Sequence, residues 1–446
     1  MHRAAEKRKG QSLEECVIAL YGCGTVGMGV AQALLRPGAL QERIGDAVRL
    51  KYIVDARLDQ ARGELDPPDD VTLTSDVEAP LRDSHVDVVV ELFGGVTDAR
   101  RVIEDALRSG KDVVTANKAL LAEAGDELYR LAREHGCSIA FGAAVAGGIP
   151  VIAALRNALI GEQIERLYGI VNGTCNYVLT RMLDRGVAYG DALAEAQQRG
   201  YAESDPALDV EGTDSAHKLA VLARVAFGVN VRLRDIPCEG IADVELSDLR
   251  YAGALGYTLK LLAIGIRRGE KLELRVHPAL LRLEHPLAGV GDVYNAVCIH
   301  GERVGEIVLT GKGAGRMPTS SAVVADIARL ALGTYRTDFA RLAQFGDVPD
   351  AKLVPFGEVQ TRYYFRLDCL DRPGVLAQVA GILAEEDISI ASVRQQEVAA
   401  EGGQFVPVVF MTHRACQAAM RRALERINRL EVIEGGKTRM LRVEDI

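Results

Sequence analysis

Asp214 and Lys218 lie four residues apart, behind the acidic run Glu203, Asp205, Asp209 and Glu211 and at the start of an apolar stretch. On a helix that spacing puts carboxylate and amine on one face, a turn from each other. From Lys218, Val221, Leu222 and Val225 recur at i+3, i+4 and i+7, which marks a buried stripe. A lysine at the edge of such a stripe loses water, and desolvation is expected to lower its pKa toward neutrality. That is the tuning of a proton donor or acceptor, with carboxylates nearby to hold a polar substrate. Taken in isolation the pair reads as a surface ion pair worth roughly 0.2–0.5 kcal/mol. The rest of the chain decides between the two.

Gly22-Cys23-Gly24-Thr25-Val26-Gly27 fits G-x-G-x-x-G, directly after an apolar strand at 16–21 and at the start of a helix at 26–35. Glycines there permit a tight turn and close approach of a pyrophosphate, which then sits on the positive helix end. The cofactor-binding set is Gly22, Gly24, Thr25, Val26 and Gly27. Asp55 ends the second strand, where an acid accepts hydrogen bonds from ribose hydroxyls and favours NAD; Arg57 is the alternative partner for the 2′-phosphate of NADP. The spacing from Gly27 to Asp55 is longer than the usual value of about 20 residues. Thr115-Ala116-Asn117-Lys118 follows another strand at its carboxyl end, where such sheets bind ligands, so Lys118 is either a cleft lysine or a surface one. Ala146-Gly147-Gly148-Ile149-Pro150 and Asn172-Gly173-Thr174 are turns whose backbone can face a ligand closely.

These residues need a scaffold, and the chain is long enough for two to four domains at 446 residues. Strand and helix patterns alternate over residues 1–145, and VDVVVEL at 86–92 reads as a central parallel strand covered on both faces. Strands at 48–54, 113–114 and 138–141 and helices at 99–109 and 122–134 complete a doubly wound, Rossmann-type unit. Residues 146–315 read as a mixed α+β domain: helices at 150–159, 177–183, 188–199 and 213–227, then strands at 164–171, 259–267, 272–276, 293–299 and 302–309. A helix at 319–332 is expected to return to the first domain, completing it over about 316–345. A polar linker, 346–358, leads to 359–446, whose order of strand (363–369), helix (375–385), strands (388–394 and 405–411), helix (416–427) and strand (437–443) is the βαββαβ, ferredoxin-like arrangement.

A formal charge of −9 argues against nonspecific nucleic-acid binding. No apolar run approaches the roughly 18 residues of a membrane span, and the polar start at 1–11 lacks a signal peptide's apolar stretch. Eight cysteines stand mostly in apolar surroundings without a CxxC pair, which fits a reducing cytoplasm and no zinc site or redox dithiol.

GCGTVG at 22–27, ELFGG at 91–95, TANKALLA at 115–122, VAGGIP at 145–150, GIVNGTCNY at 169–177, GYAESDPALDVEGTDSAHKLAVLA at 200–223 and GKGAGRMPTSSAVVADI at 311–327 together resemble the homoserine dehydrogenases, nearly end to end. The resemblance implies NAD- or NADP-linked interconversion of L-homoserine and L-aspartate 4-semialdehyde, in the threonine, methionine and isoleucine pathway. It casts Lys218 as general acid/base and Lys118 as a second lysine near nicotinamide and substrate. Glu203, Asp209, Asp214 and the Gly200 backbone would bind the amino acid, and Gly315 would approach the cofactor from the far side. An ammonium substrate does want carboxylates, and an alcohol–carbonyl pair wants a lysine.

The family also implies a monovalent cation, Na⁺ or K⁺, on backbone carbonyls that fall here at Gly142, Val145, Gly147 and Ile149. Gly142 stands where a glutamate is common, a departure that bears on the strength of the site. The C-terminal unit resembles an ACT domain, with Leu370-Asp371-Arg372-Pro373-Gly374-Val375-Leu376 as ligand-loop signature. That implies an L-threonine effector, or an oligomerisation module without ligand, and a homodimer or homotetramer. Two rivals remain: another amino-acid-linked dehydrogenase, against which Glu203, Asp214, Lys218 and Lys118 argue, and a non-catalytic amino-acid sensor, against which the retained lysines argue. Gly22 is preceded by too little chain for a fused kinase to be expected.

Overall fold

The computed structural model describes residues 15–36, 38–45, 47–395, 405–436 and 438–446. The polar start at 1–11, Pro37 after the first helix, and Lys437 at the expected start of the last strand lie outside the described residues. Two compact units emerge: Met1–Glu162 with Ala220–Leu233 and Gly311–Asp350, and Gln163–Leu219 with Arg234–Thr310 and Ala351–Ile446.

The first unit is a parallel sheet built from β1 (Cys16–Tyr21), β2 (Val48–Val54), β3 (Thr72–Thr74), β4 (Val88–Glu91), β5 (Asp112–Thr115) and β6 (Ile139–Ala140), in the order β3-β2-β1-β4-β5-β6. This is the doubly wound order whose direction reverses between β1 and β4, opening a crevice beyond the carboxyl ends. Register sets those ends level: Tyr21 pairs with Val54 and with Glu91, and Glu91 with Thr115. The glycine turn, Asp55, Glu91 and Lys118 therefore leave one edge of one sheet. Helix Arg316–Ala331 packs on helix Thr25–Leu35 so closely that a Cβ on Gly29 would lie 2.8 Å from Ser320 Oγ.

Two differences from the sequence reading have local causes. The helix expected from 122 spans Lys118–Glu134, because Asn117 caps it by accepting the Leu120 N–H through Oδ1 at 3.1 Å. The helix expected at 150–159 is a single α turn, Val151–Ala153, followed by a π-helical turn, Ala154–Ala158.

The second unit carries β7 (Ile164–Ile170), β8 (Tyr257–Arg268), β9 (Lys271–Arg282), β10 (Tyr294–Gly301), β11 (Gly305–Lys312), β12 (Gln360–Leu370), β13 (Ile390–Gln395), β14 (Phe405–Thr412), β15 (Ala415–Cys416) and β16 (Arg439–Val443). They form one ten-stranded mixed sheet, β11-β10-β7-β8-β9-β16-β12-β14-β13, with β15 paired to β12. The ACT strands are thus continuous with those before them: β16 pairs β12 antiparallel and β9 in parallel, with Arg442 opposite Ala279. The strand expected at 272–276 runs on through His277 and Pro278 to Arg282, and stays paired with β8 from end to end. At the seam Arg275 bonds Glu273 at 2.6 Å and Glu444 at 3.0 Å, and Arg442 grips Glu239 at 2.7 and 2.8 Å. Burial, aided by these guanidinium groups, holds His277 neutral by pushing its pKa well down. The residues read as a linker are tied to β9: Leu272 N–H donates to Lys352 O, and Val354 N–H to Leu272 O, each at 2.9 Å. The ACT core is Tyr363, Phe365, Val379, Leu383, Val408 and Met420 with their neighbours.

Candidate active site

At the sheet's reversal point Gly22 has φ +92 and backs onto Phe93, whose N would lie 2.7 Å from an added Cβ. A Cβ on Gly27 would sit 1.9 Å from Gly22 O, so the helix meets the strand only because that residue has none. Gly24 faces open space. Asp55 leaves β2 and locks the turn: Oδ2 accepts the Cys23 N–H at 2.6 Å and Oδ1 the Arg57 N–H at 2.8 Å. Around them lies a cavity of 490 Å³, lined among others by Gly22, Gly24, Asp55, Arg57, Ser75 and Arg101. That volume suits a nucleoside moiety.

The other half of the crevice is drawn together by side-chain contacts between the ELFGG and TANK segments, which the sequence reading named without pairing. Glu91 Oε2 accepts the Thr115 hydroxyl at 2.6 Å and Oε1 the Gly94 N–H at 3.0 Å. Asn117 Nδ2 donates to Gly95 O at 2.6 Å, and its N–H to Thr115 Oγ1 at 3.0 Å. Lys118 is the next residue, first in its helix.

The VAGGIP turn is held just as tightly. A Cβ on Gly147 would lie 2.7 Å from Thr319 Oγ1 and one on Gly148 2.7 Å from Lys312 O, while Ala146 carries φ +52. Gly315, at φ +117, precedes the helix that packs on the nucleotide helix; a Cβ on Gly29 would touch Arg316 Cγ at 3.1 Å. Gly142 N–H donates to Asp326 Oδ2 at 2.6 Å, and a side chain at 142 would start 3.0 Å from that oxygen. Asp326 is buried, and burial pushes its carboxyl up from 3.8 to about 6. Its folded pKa exceeds the unfolded one, so its contribution to stability is full below about pH 3.8 and lost as pH rises through about 6. Asp326→Asn keeps an oxygen for Gly142 N–H and drops the charge. We expect it to stabilise the protein by about 1–3 kcal/mol above pH 7 and by little near pH 4. Thermal melts of both proteins across that range check it.

In the second unit, Asp214 and Lys218 share a face of helix Thr213–Phe227, as their spacing implied. The Lys218 ammonium donates to Asp214 Oδ2 and to Val171 O, each at 2.6 Å. Asn172, named from the sequence as part of a turn for its backbone, acts here through its side chain. Its Nδ2 donates to Asp209 Oδ1 at 2.7 Å and to Asp214 Oδ2 at 2.9 Å, so one amide spaces two like charges. Its Oδ1 caps helix Gly173–Arg185 through the Cys175 N–H, and Cys175 Sγ–H reaches Asp209 O at 3.1 Å. The signal was present: asparagine directly before glycine at a helix start is a cap. Val221, Leu222 and Val225 are buried as the stripe required. Gly200, at φ +72, ends helix Tyr189–Gln198. Glu203 is exposed, and its carbonyl accepts Gln197 Nε2 at 3.1 Å.

A switch-point nucleotide crevice, and a lysine held by the Asp214 carboxylate and the Val171 carbonyl, fit a nicotinamide-nucleotide-dependent oxidoreductase acting on a CH–OH group. Comparison with known proteins gives the family. The model of the homoserine dehydrogenase NAD-binding domain matches residues 22–142, that of homoserine dehydrogenase 150–328, and that of the ACT domain 363–432. A homoserine dehydrogenase of Pseudomonas aeruginosa is 40% identical over 434 residues, covering 96% of this chain and 99% of that protein. The crystal structure of a homoserine dehydrogenase from Thiobacillus denitrificans superposes with a TM-score of 0.90 at 38% identity, covering 98% of this chain and 100% of that one. A hyperthermophilic archaeal homoserine dehydrogenase mutant in complex with NADPH aligns at 27% identity and TM-score 0.60, over 72% of this chain and 98% of its own. The chain belongs to the homoserine dehydrogenase family.

Proposed function

We propose that the chain interconverts L-homoserine and L-aspartate 4-semialdehyde with NAD or NADP, on the path to threonine, methionine and isoleucine. The observation that carries this is the Lys218–Asp214–Asn172–Asp209 cluster. An ammonium has three donors, and two of Lys218's are held by Asp214 and Val171. The third is left for the substrate oxygen, giving a proton to the forming alcohol and, in reverse, taking it back. Asp209, Asp214, Glu203 and the Gly200 backbone bind the amino acid, their carboxylates answering its ammonium. Lys118 lines the cleft near the nicotinamide, which supplies the hydride chemistry.

Gly22, Gly24, Thr25, Val26 and Gly27 take the pyrophosphate, and Gly315 closes on the cofactor. Asp55 accepts ribose hydroxyls, which favours NAD, while Arg57 beside it gives the 2′-phosphate of NADP a partner. The NADPH complex of the archaeal relative supports keeping both. Arg57→Ala is expected to raise KM for NADP about tenfold and leave KM for NAD unchanged, since one charge-assisted hydrogen bond is lost. Initial rates with each cofactor read this directly.

The carbonyls of Gly142, Val145, Gly147 and Ile149 hold a Na⁺ or K⁺ ion, and Asp326 brings a carboxylate beside Gly142, which has none. The ACT domain takes L-threonine at its Leu370–Leu376 loop, where Asp371 is bonded by Gln395 at 3.1 Å. Exposed edge strand β13, with Val393 on it, suits pairing of ACT copies in a homodimer or homotetramer. A cytoplasmic setting agrees with eight free cysteines, and no described helix is long and apolar enough to cross a membrane.

Homoserine oxidation followed by NAD(P)H absorbance, with each cofactor and with and without threonine, tests the reading. Turnover inhibited by threonine supports both site and effector. Turnover without inhibition leaves the ACT domain a structural part, and no turnover in folded protein removes the reading.

A further inference from the structure

Glu91 is a carboxylate buried at the edge of a sheet, 1% exposed, in a place where a charge is costly. Burial pushes its carboxyl up, and the opposing influences are hydrogen bonds from Thr115, Gly94 and Asn117. Those donors belong to two separate chain segments. Gly94 follows β4 in a loop where Gly94 and Gly95 stand at φ +77 and +76, a pair of left-handed residues with no side chains to fix them. Thr115 ends β5, and its hydroxyl oxygen in turn receives the Asn117 N–H. Asn117 bonds back to Gly95 O and caps the helix that opens with Lys118. The ring of contacts closes on itself: Glu91, Gly94, Gly95, Asn117, Thr115, Glu91.

We infer that Glu91 is a positioning residue for the dehydrogenase reaction: it ties the 93–95 loop to the cap of the Lys118 helix and so sets where the Lys118 side chain starts. This rests on the role proposed for Lys118 above. A carboxylate suits this place, because the Thr115 hydroxyl and the Gly94 N–H both donate to it. In Glu91→Gln the amide must turn its NH₂ either to the Gly94 N–H, donor against donor, or to Thr115 Oγ1, which already accepts from Asn117. The first choice breaks one link of the ring; the second reverses one, since Thr115 Oγ1 has a second lone pair, and leaves the Thr115 hydroxyl hydrogen without its carboxylate acceptor, while both keep shape and volume. Phe93 lines the nucleotide cavity too, but the glycine turn and Asp55 keep contacts of their own there, so the main defect should appear in kcat.

The test is a kinetic double-mutant cycle of Glu91→Gln with Lys118→Ala in the full-length protein, with cofactor Kd measured alongside. Glu91→Gln is expected to lower kcat by about tenfold to a hundredfold, as a displaced side chain does, with cofactor Kd unchanged. In the Lys118→Ala background it should add nothing. Losses that multiply, a wild-type kcat, or a loss confined to cofactor affinity each overturn the inference. Lys118→Ala with full kcat removes the reading of Lys118 itself, whereas an impaired Lys118→Ala with multiplying losses removes only the role of Glu91. Should Glu91→Gln fail to fold, Thr115→Val cuts the same link and enters the same cycle with the same outcomes.

Discussion

Lys218→Ala is expected to lower kcat for homoserine oxidation by about a thousandfold, within the usual range for a removed general acid/base, and to leave cofactor Kd nearly unchanged. Two features set the size. Lys218 sits at the junction of Asp214 and the Val171 carbonyl, so its alanine variant takes the ammonium from the Asp214 carboxylate while the Asn172 amide still donates to it. The nucleotide crevice, by contrast, is closed by contacts of its own: Asp55 to Cys23 and Arg57, and Gly27 to Gly22. Lys218→Arg separates charge from proton transfer, because a guanidinium keeps the ion pair but does not release its proton near neutral pH. It should be as inactive as alanine while melting close to wild type. Steady-state rates, cofactor titration by fluorescence and a thermal melt decide the matter; loss of cofactor binding in Lys218→Ala would mean the assigned role is wrong.

Gly27→Ala is expected to abolish useful cofactor binding. Its methyl would lie 1.9 Å from the Gly22 carbonyl oxygen, a contact with backbone that no rotamer relieves. Helix and turn must separate, and the turn's N–H groups lose their aim at the pyrophosphate. Two charge-assisted hydrogen bonds at about 1.5 kcal/mol each imply a weakening of about a hundredfold or more. Gly24→Ala is the control. Nothing stands within 4 Å of its Cβ and its φ of −76 suits alanine, so this variant should fold with an unaltered turn. Equilibrium titration with NADH and NADPH, beside circular dichroism of each variant, measures both. A Gly27→Ala protein that binds cofactor like wild type would show that the turn adapts, against the close packing described.

Much of this was legible in the residues. VDVVVEL announced a strand buried on both faces because a central parallel strand has no solvent side, and β4 is that strand. Asp214 and Lys218 met because the helical repeat requires it. What escaped were contacts between segments far apart in the chain. Asn172 bridges Asp209 and Asp214 from 37 and 42 residues away, and Glu91 reaches Thr115 across 24. No local period records such meetings. Strand β3 was missed because Thr72–Thr74 is short and polar, paired only along the sheet's edge. The seam of β16 with β9 was missed for another reason: a βαββαβ unit read alone looks complete, and nothing within it says that an outer strand continues a second sheet.

The central claim is that the lysine–carboxylate cluster accepts homoserine and moves its hydroxyl proton. The most direct measurement is kcat/KM of the wild-type enzyme for homoserine beside serine and other amino alcohols, with NAD and with NADP. Turnover of homoserine with at least one cofactor, well above that of every other alcohol, is the predicted result. Folded, cofactor-binding protein that ignores homoserine, or prefers a different amino alcohol, would contradict the account.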